Sequence, residues 1–241
     1  MKVMVEPLEQ IAGKKLDLDL LKQVVANSKK TSQLWSQCLE INMNQPAPWT
    51  FFDSCIHMGP AVVMRGMESA NSYYVELLKE LQEKVRSGAA AVDGEKHRLF
   101  WAGMPVWGKI GSMSKTFGSL KANVVASTYC SSWVFDDLDA ERPFESMGKV
   151  YSELYIAGSA ERKARVLQQF FDQFKIDGVI YHDAWTCPFC NESRYGMPVR
   201  LNAKNGLPYI VIDGDLNDLR CFSEEQSRTK IEALMEELEG I

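Results

Sequence analysis

The second part of the chain alternates short apolar runs with longer runs of helical spacing, and this alternation limits the possible folds more than any other feature. Apolar runs of five or six residues occupy positions 97–102, 123–127, 178–182 and 208–213. Parallel strands need crossover connections, which are usually helical and right-handed. We therefore predict an α/β fold with a small, doubly wound sheet of four parallel strands.

The runs between these strands have apolar residues at helical spacing. They predict helices over 106–120, 143–156, 159–175, 194–205 and 223–239. Before residue 95 the chain is helical in pattern, over about 17–42, 51–64 and 68–86, and no run there suits a strand. We therefore predict a helical arm over 1–95, which precedes the α/β domain over 96–241.

Charge and hydropathy exclude several classes of function. Lys and Arg number 27 and Asp and Glu number 32, so the formal net charge is -5. This acidic excess gives no general attraction for nucleic acid or for an anionic membrane. No apolar run approaches the roughly 18–20 residues of a membrane span, and the first residues lack the apolar core of a secretory signal. We expect a cytoplasmic protein that binds neither nucleic acid nor membrane.

The unusual side chains fall in the loops that follow the predicted strands. Ligands of open α/β sheets bind at the carboxyl ends of the strands. Four of the six cysteines and three of the six tryptophans lie in these loops. They are Cys130, Cys187, Cys190, Cys221, Trp107, Trp133 and Trp185. Since structural disulfides are rare in a reducing cytoplasm, we expect this edge of the sheet to carry the functional site.

The Cys187-Pro-Phe-Cys190 pair allows several chemistries. Two thiolates at this spacing can bind one metal ion, ligate an iron–sulfur cluster or cycle as a dithiol. A structural zinc site needs four ligands. The chain could supply them from Cys130, Cys187, Cys190 and either His182 or Cys221. In thioredoxin-like domains the dithiol follows the first strand, whereas this pair follows the third.

Other residues at or near this edge have two interpretations each. His182 ends a predicted strand, where it could act as a catalytic acid or base, or as a hydrogen-bonded structural histidine. The three tryptophans could line a cleft or belong to the core. Cys38 and Cys55 lie in helical runs and are expected to be packing residues.

Several motifs together resemble those of a known family. The runs DGVIYHDAWTCPF, GLPYIVIDGDLNDLR and EEQSRTKIEALMEELE occupy 177–189, 206–220 and 224–239. Upstream, HRLFWAGMPVW and VVASTYCSSWVFDDLD occupy 97–107 and 124–139. These runs resemble the C-terminal domain of the benzoyl-CoA reductase / 2-hydroxyacyl-CoA dehydratase family, and the upstream pair leans toward the reductase side. The helical region resembles the connecting helices of the family.

The resemblance implies a flavodoxin-like domain and a radical reaction. Family subunits pair with a homologous second subunit, and each holds a [4Fe-4S] cluster on three cysteines. An ATP-dependent iron–sulfur activator supplies single electrons, which reduce an acyl-CoA thioester to a ketyl radical. By this resemblance Cys187 is a cluster ligand, Cys130 lies in a loop that could reach the same cluster, and Cys190 is a neighbour without an assigned position. The tryptophans would bind the acyl group and exclude water.

The resemblance also has a departure. Family subunits are longer, and an N-terminal α/β domain supplies other cluster cysteines. We expect this chain to correspond to the C-terminal part, with an incomplete cluster. The leading hypothesis is a subunit of an oxidoreductase or a lyase of this type. The alternatives are a non-catalytic α/β module that binds zinc or an acyl-CoA or pairs with another subunit, and a thiol oxidoreductase that uses Cys187 and Cys190.

Overall fold

A computed structural model of the protein describes residues 1–188, 192–193 and 196–240. Its sheet consists of four parallel strands in the order β2-β1-β3-β4. The strands are β1 (His97–Ala102), β2 (Ala122–Ser127), β3 (Gly178–Ala184) and β4 (Tyr209–Gly214). With helices on both faces, this arrangement confirms the predicted doubly wound α/β fold. The strand order is the one with which a flavodoxin-like sheet begins.

Strand β3 is longer than predicted. It continues to Ala184, whereas the sequence predicts its end at His182. Asp183 pairs with Asp213 and Ala184 pairs with Gly214 of β4, so both residues extend the ladder and do not belong to the following loop. The pairing with β4 explains the difference, since it is a contact between segments that are distant in sequence.

The helices before the sheet cover most of the predicted helical arm. They are α1 (Val5–Ala12), α2 (Leu18–Glu40), α3 (Phe51–His57), α4 (Gly59–Val63) and α5 (Glu68–Ser87). Helix α1 was not predicted, and the predicted run over 51–64 divides at Met58. Thr50 and Asp53 form a capping box that begins α3.

The helices that follow β1 lie between successive strands, except for the last, which follows β4. They are α6 (Ile110–Ser119), α7 (Thr128–Ser131), α8 (Pro143–Ser152), α9 (Ala160–Phe174), α10 (Met197–Asn205) and α11 (Glu224–Glu239). A short 3-10 turn at Trp107–Lys109 precedes α6, and another at Tyr155–Ala157 follows α8. These turns stand where the sequence predicts the start of the helix over 106–120 and the end of the helix over 143–156. Among the described residues, no helix combines the length and the apolar character that a membrane crossing requires.

Alternate residues of β1 contribute to two cores. Leu99 and Trp101 belong to the core that includes residues of α6 and α11, whereas Phe100 and Ala102 belong to the core that includes residues of α9 and α10. Such burial on both faces explains the continuous apolar runs of the strands. The first core also includes α3, whose Phe51 ring stacks on Trp101 at a centroid distance of 5.4 Å. The helical arm therefore packs directly on the sheet, and the domain boundary at residue 95 stays a prediction.

The order of the strands predicts where a ligand of this sheet binds. The chain moves from β1 to β2 on one side and then to β3 on the other side of β1. The order therefore reverses between β1 and β3, and ligands of doubly wound sheets bind outside the carboxyl ends at such a point.

Candidate functional site

The loop after β3 carries Cys187, and a buried aspartate holds this loop. Asp215 Oδ2 accepts hydrogen bonds from the Thr186 hydroxyl at 2.5 Å and the Thr186 backbone N–H at 3.0 Å. The Thr186 hydroxyl makes the largest contribution to the pKa of Asp215, which is lowered to about 2. The Trp185 N–H also donates to the carbonyl of Gly214 at 3.0 Å. These bonds fix Cys187, which is half-buried, at the carboxyl edge of the sheet.

The sequence predicts Cys130 at the same edge of the sheet, but in the structure its sulfur lies in the core. It is 1% exposed, and its Sγ lies 3.9 Å from Sγ of Cys55 and 3.7 Å from Oγ of Ser54. Burial raises the pKa of the Cys55 thiol, and the contact with Cys130 adds to the shift. Burial likewise raises the pKa of Cys38 to about 12. The burial of Cys38 and Cys55 agrees with the packing role expected for them.

The described residues do not complete a metal site. They contain no group of three or more His, Cys, Asp or Glu side chains placed to hold an ion. Cys190 lies outside the described residues, and Cys221 lies in the 3-10 turn after β4. A cluster needs several thiolates at one place, whereas the sulfur of Cys130 contacts another core thiol. The described part of the chain thus completes neither a full cluster set nor the four-ligand zinc set, and the role of Cys187 as a ligand stays a prediction.

The three tryptophans do not line one cleft together. Trp133 lines an apolar pocket, described below, whereas Trp185 is 57% exposed. Trp107 packs edge-to-face on Tyr129 at a centroid distance of 6.3 Å, and Tyr129 lines the same pocket as Trp133. Two of the three predicted side chains are therefore in or beside one cavity. Their role in substrate binding stays a prediction.

His182 is buried in β3. It is 1% exposed, its Nδ1 lies 2.5 Å from the carbonyl oxygen of Met104, and its ring packs on Trp101. A Cβ atom at Gly214 would lie 2.8 Å from Nε2, so glycine at that position leaves room for the ring. These contacts are those of a structural histidine, the alternative that the sequence left open. The catalytic role of His182 stays a prediction.

The burial of His182 predicts a dependence of stability on pH. Desolvation lowers its pKa, although the hydrogen bond with the Met104 carbonyl opposes the shift. The unfolded chain then binds a proton more readily than the folded protein, so acidification below about pH 6.5 should reduce the free energy of unfolding. We expect His182→Asn to lose this part of the dependence. Urea unfolding between about pH 5 and 7.5 measures it, and parallel curves for the two proteins would contradict the prediction.

An apolar pocket opens at the carboxyl ends of β1 and β2. Its volume is about 300 Å³, at the lower end of the roughly 300–1,000 Å³ that small-molecule sites occupy. The loops after these strands and the turn after α8 form it. Its apolar lining includes Met104, Tyr129, Trp133, Phe135, Tyr151 and Ile156.

Glu192 brings a buried carboxyl group into this lining. It is 6% exposed, and its Oε1 accepts a hydrogen bond from the hydroxyl of Tyr155. Within the described part of the chain, Oε2 of Glu192 has no hydrogen-bond partner. Burial raises the pKa of Glu192, whereas the bond from Tyr155 and the positive charge of Lys163 lower it. The sequence analysis did not identify Glu192 or Tyr155, although Glu192 lies in the same segment between β3 and α10 as Cys187.

A second buried carboxyl group lies close to Glu192 in space. Asp183 is 7% exposed, and its Oδ2 accepts a hydrogen bond from the hydroxyl of Ser193. Oδ1 of Asp183 has no hydrogen-bond partner among the described residues. The negative charge of Asp183 further raises the pKa of Glu192. The carboxyl edge therefore combines an apolar pocket, a carboxyl group with an unpaired oxygen and the Cys187 loop.

Comparison with curated proteins agrees with the predicted resemblance. The chain is 29% identical over 237 residues to the alpha subunit of lactoyl-CoA dehydratase from Anaerotignum propionicum, which covers 98% of this chain and 56% of the relative. It is 29% identical to the (R)-2-hydroxyisocaproyl-CoA dehydratase alpha subunit from Clostridioides difficile, over 98% of this chain and 58% of the relative. A benzoyl-CoA reductase subunit from Thauera aromatica is 26% identical over 93% of this chain and 55% of its own length.

These relatives confirm the predicted resemblance to dehydratase and reductase subunits. The chain spans little more than half of the length of the curated relatives that it matches. A family model described as 2-hydroxyglutaryl-CoA dehydratase, D-component, matches residues 1–238. Since this match covers nearly the whole chain, the chain belongs to the 2-hydroxyglutaryl-CoA dehydratase D-component family.

Proposed function

We propose that this chain belongs to a subunit of an enzyme that reduces an acyl-CoA thioester by single electrons. The thioester would become a ketyl radical anion, which either expels the hydroxyl group of the adjacent C2 carbon as hydroxide or accepts further electrons into an aromatic ring. The observation that carries the proposal is the family match over residues 1–238, combined with a carboxyl edge of the sheet that carries both the Cys187 loop and a ligand-sized pocket.

The same proposal includes partners and a compartment. The relatives are all named as subunits of larger enzymes, which supports a homologous second subunit for this chain as well. An ATP-dependent iron–sulfur activator would deliver the electrons at low potential, and the reaction would take place in the cytoplasm. The net charge of -5 is consistent with partners other than nucleic acid.

The proposal assigns one cofactor ligand to the described residues. Cys187 lies in an accessible, hydrogen-bonded loop, which suits a ligand of a [4Fe-4S] cluster. Such a cluster would supply low-potential electrons. Because the described residues do not complete its ligand set, we assign no electron-transfer step to them.

Metal analysis of the whole subunit that contains this chain, purified without oxygen together with its partner subunit, tests this proposal. We expect about four iron atoms per subunit, and Cys187→Ser should lose most of this iron along with turnover of the acyl-CoA. The matched control is Cys38→Ala, which changes a buried packing cysteine and should keep the iron. Absence of iron after anaerobic reconstitution would refute the cluster. Tetrahedral zinc without CoA binding would favour the non-catalytic module instead.

A further inference from the structure

The pocket between the loops after β1 and β2 combines an apolar lining with one buried, incompletely paired polar group. Oε2 of Glu192 lacks a hydrogen-bond partner in the described part of the chain, although the residue is only 6% exposed. A buried polar atom without a partner is costly and uncommon in folded proteins. Because Glu192 belongs to the lining of the pocket, a ligand bound there can supply the missing bond.

The ligand must match both parts of the pocket. A volume of about 300 Å³ holds a branched aliphatic or an aromatic group, and the lining of Met104, Trp133 and Phe135 offers such a group apolar contact. The polar part must bond to a carboxyl oxygen. A hydroxyl group both donates and accepts hydrogen bonds, so it can pair with Glu192 in either protonation state.

From these contacts we infer that the pocket binds the acyl part of a 2-hydroxyacyl thioester with an apolar side chain, and that Glu192 binds the 2-hydroxyl group. The inference rests on the proposed function, because it places the acyl group of a CoA thioester at this edge. The inference adds Glu192 as a binding residue. It also predicts that the pocket prefers apolar 2-hydroxyacyl groups to acyl groups without the hydroxyl.

The same arrangement disfavours an acidic side chain. A second carboxylate would enter an apolar lining that already contains Glu192, with Asp183 buried close by, and the positive charge of the nearby Lys163 already offsets that of Glu192. Like charges at such a place repel each other, and burying an unpaired carboxylate is costly. A 2-hydroxyglutaryl group should therefore bind more weakly than a branched or aromatic 2-hydroxyacyl group.

Two exposed residues of the lining support an apolar occupant. Tyr151 and Ile156 line the pocket and are 51% and 44% exposed. Large apolar side chains left in water at a cavity are typical of ligand sites. A thioester chain that leaves the pocket here would remain at the carboxyl edge that also carries Cys187.

Calorimetric titration of the full chain with defined CoA thioesters tests the inference. The probes are 2-hydroxyisocaproyl-CoA, isocaproyl-CoA, 2-hydroxyglutaryl-CoA and free CoA. We expect the hydroxylated isocaproyl ester to bind about tenfold more tightly than each of the other two esters. Glu192→Leu should abolish the preference for the hydroxyl group, whereas Glu192→Gln, whose amide still donates and accepts, should keep part of it. The matched control Glu237→Gln, at an exposed position of α11, should change nothing.

The outcomes separate this inference from the proposed function. If the esters bind but the hydroxyl group gives no advantage, or if Glu192→Leu retains the advantage, the inference is wrong and the CoA site stands. If no ester binds more tightly than free CoA, the proposed acyl-CoA site itself fails and the inference fails with it. Thermal unfolding checks the fold of each variant: Glu192→Leu should melt no lower than the wild type, whereas a purely structural Glu192 predicts a lower melting temperature.

Discussion

Replacing Arg98 with alanine is expected to lower the free energy of unfolding by about 3–5 kcal/mol, because it leaves a buried carboxylate without its partner. Arg98 is 4% exposed, and its Nη1 lies 2.7 Å from Oε1 of Glu95. Its guanidinium also donates to the carbonyl oxygens of Phe174, Asn42 and Asn44. The alanine variant loses all of these bonds at once.

The partner of Arg98 explains the size of the expected effect. Glu95 also accepts hydrogen bonds from the Ala47 N–H at 3.2 Å and from the side-chain amide of Asn123 at 2.9 Å. These neutral donors cannot replace the guanidinium charge. The double variant Arg98→Met with Glu95→Gln removes both charges, so it should recover part of the lost stability, and a double-mutant cycle from urea unfolding measures this coupling.

A surface pair supplies the control for Arg98. Arg86 and Glu83 form an exposed ion pair at 2.6 Å, so Arg86→Ala should cost no more than about 1 kcal/mol. Equal losses for Arg98→Ala and Arg86→Ala would show that the buried network adds little. The network joins residues before and after position 95, so we also expect fluorescence and circular dichroism to report one unfolding transition. Two transitions would favour the separate helical arm that the sequence predicts.

The sheet could be predicted because its strands leave a strong local pattern. All residues of β3 are buried, and strands that are buried on both faces have nearly continuous apolar sequences. The extension of β3 over Asp183 and Ala184 could not be predicted, since it depends on pairing with Asp213 and Gly214. Polar residues at a strand end resemble loop residues until the neighbouring strand is known.

The sequence predicts the edge of the sheet at which the candidate site lies, but not the contacts that its residues make. The carboxyl edge follows from the strand order, and Cys187 lies there in a loop held by Asp215. The direction of the Cys130 sulfur does not follow from the sequence, because its neighbour Cys55 is 75 residues away in the chain. Glu192 looks like an ordinary loop glutamate in the sequence. Its carboxyl group is buried by the packing of other loops, which the sequence around Glu192 does not reveal.

The second large effect is expected at Trp101, where the core meets the candidate site. Trp101→Ala should lower the free energy of unfolding by about 3–5 kcal/mol, because it removes a large buried ring and leaves a cavity. The ring is 0% exposed, stacks on Phe51 and contacts His182, and its indole N–H donates to the Met104 carbonyl at 2.9 Å. Met104 lines the apolar pocket, so the same substitution should loosen the pocket wall.

Two further variants separate the packing of Trp101 from its hydrogen bond. Trp101→Phe keeps an aromatic ring between Phe51 and His182 but loses the donor to Met104, so it should cost less than Trp101→Ala and still speed amide exchange in the loop after β1. Trp185→Ala makes the same alanine change at a side chain that is 57% exposed, and it should stay within about 0.5 kcal/mol of the wild type. Urea unfolding gives the free energies, and hydrogen exchange reports on the loop. A loss at Trp101 no larger than that at Trp185 would mean that the sheet does not depend on this contact with α3.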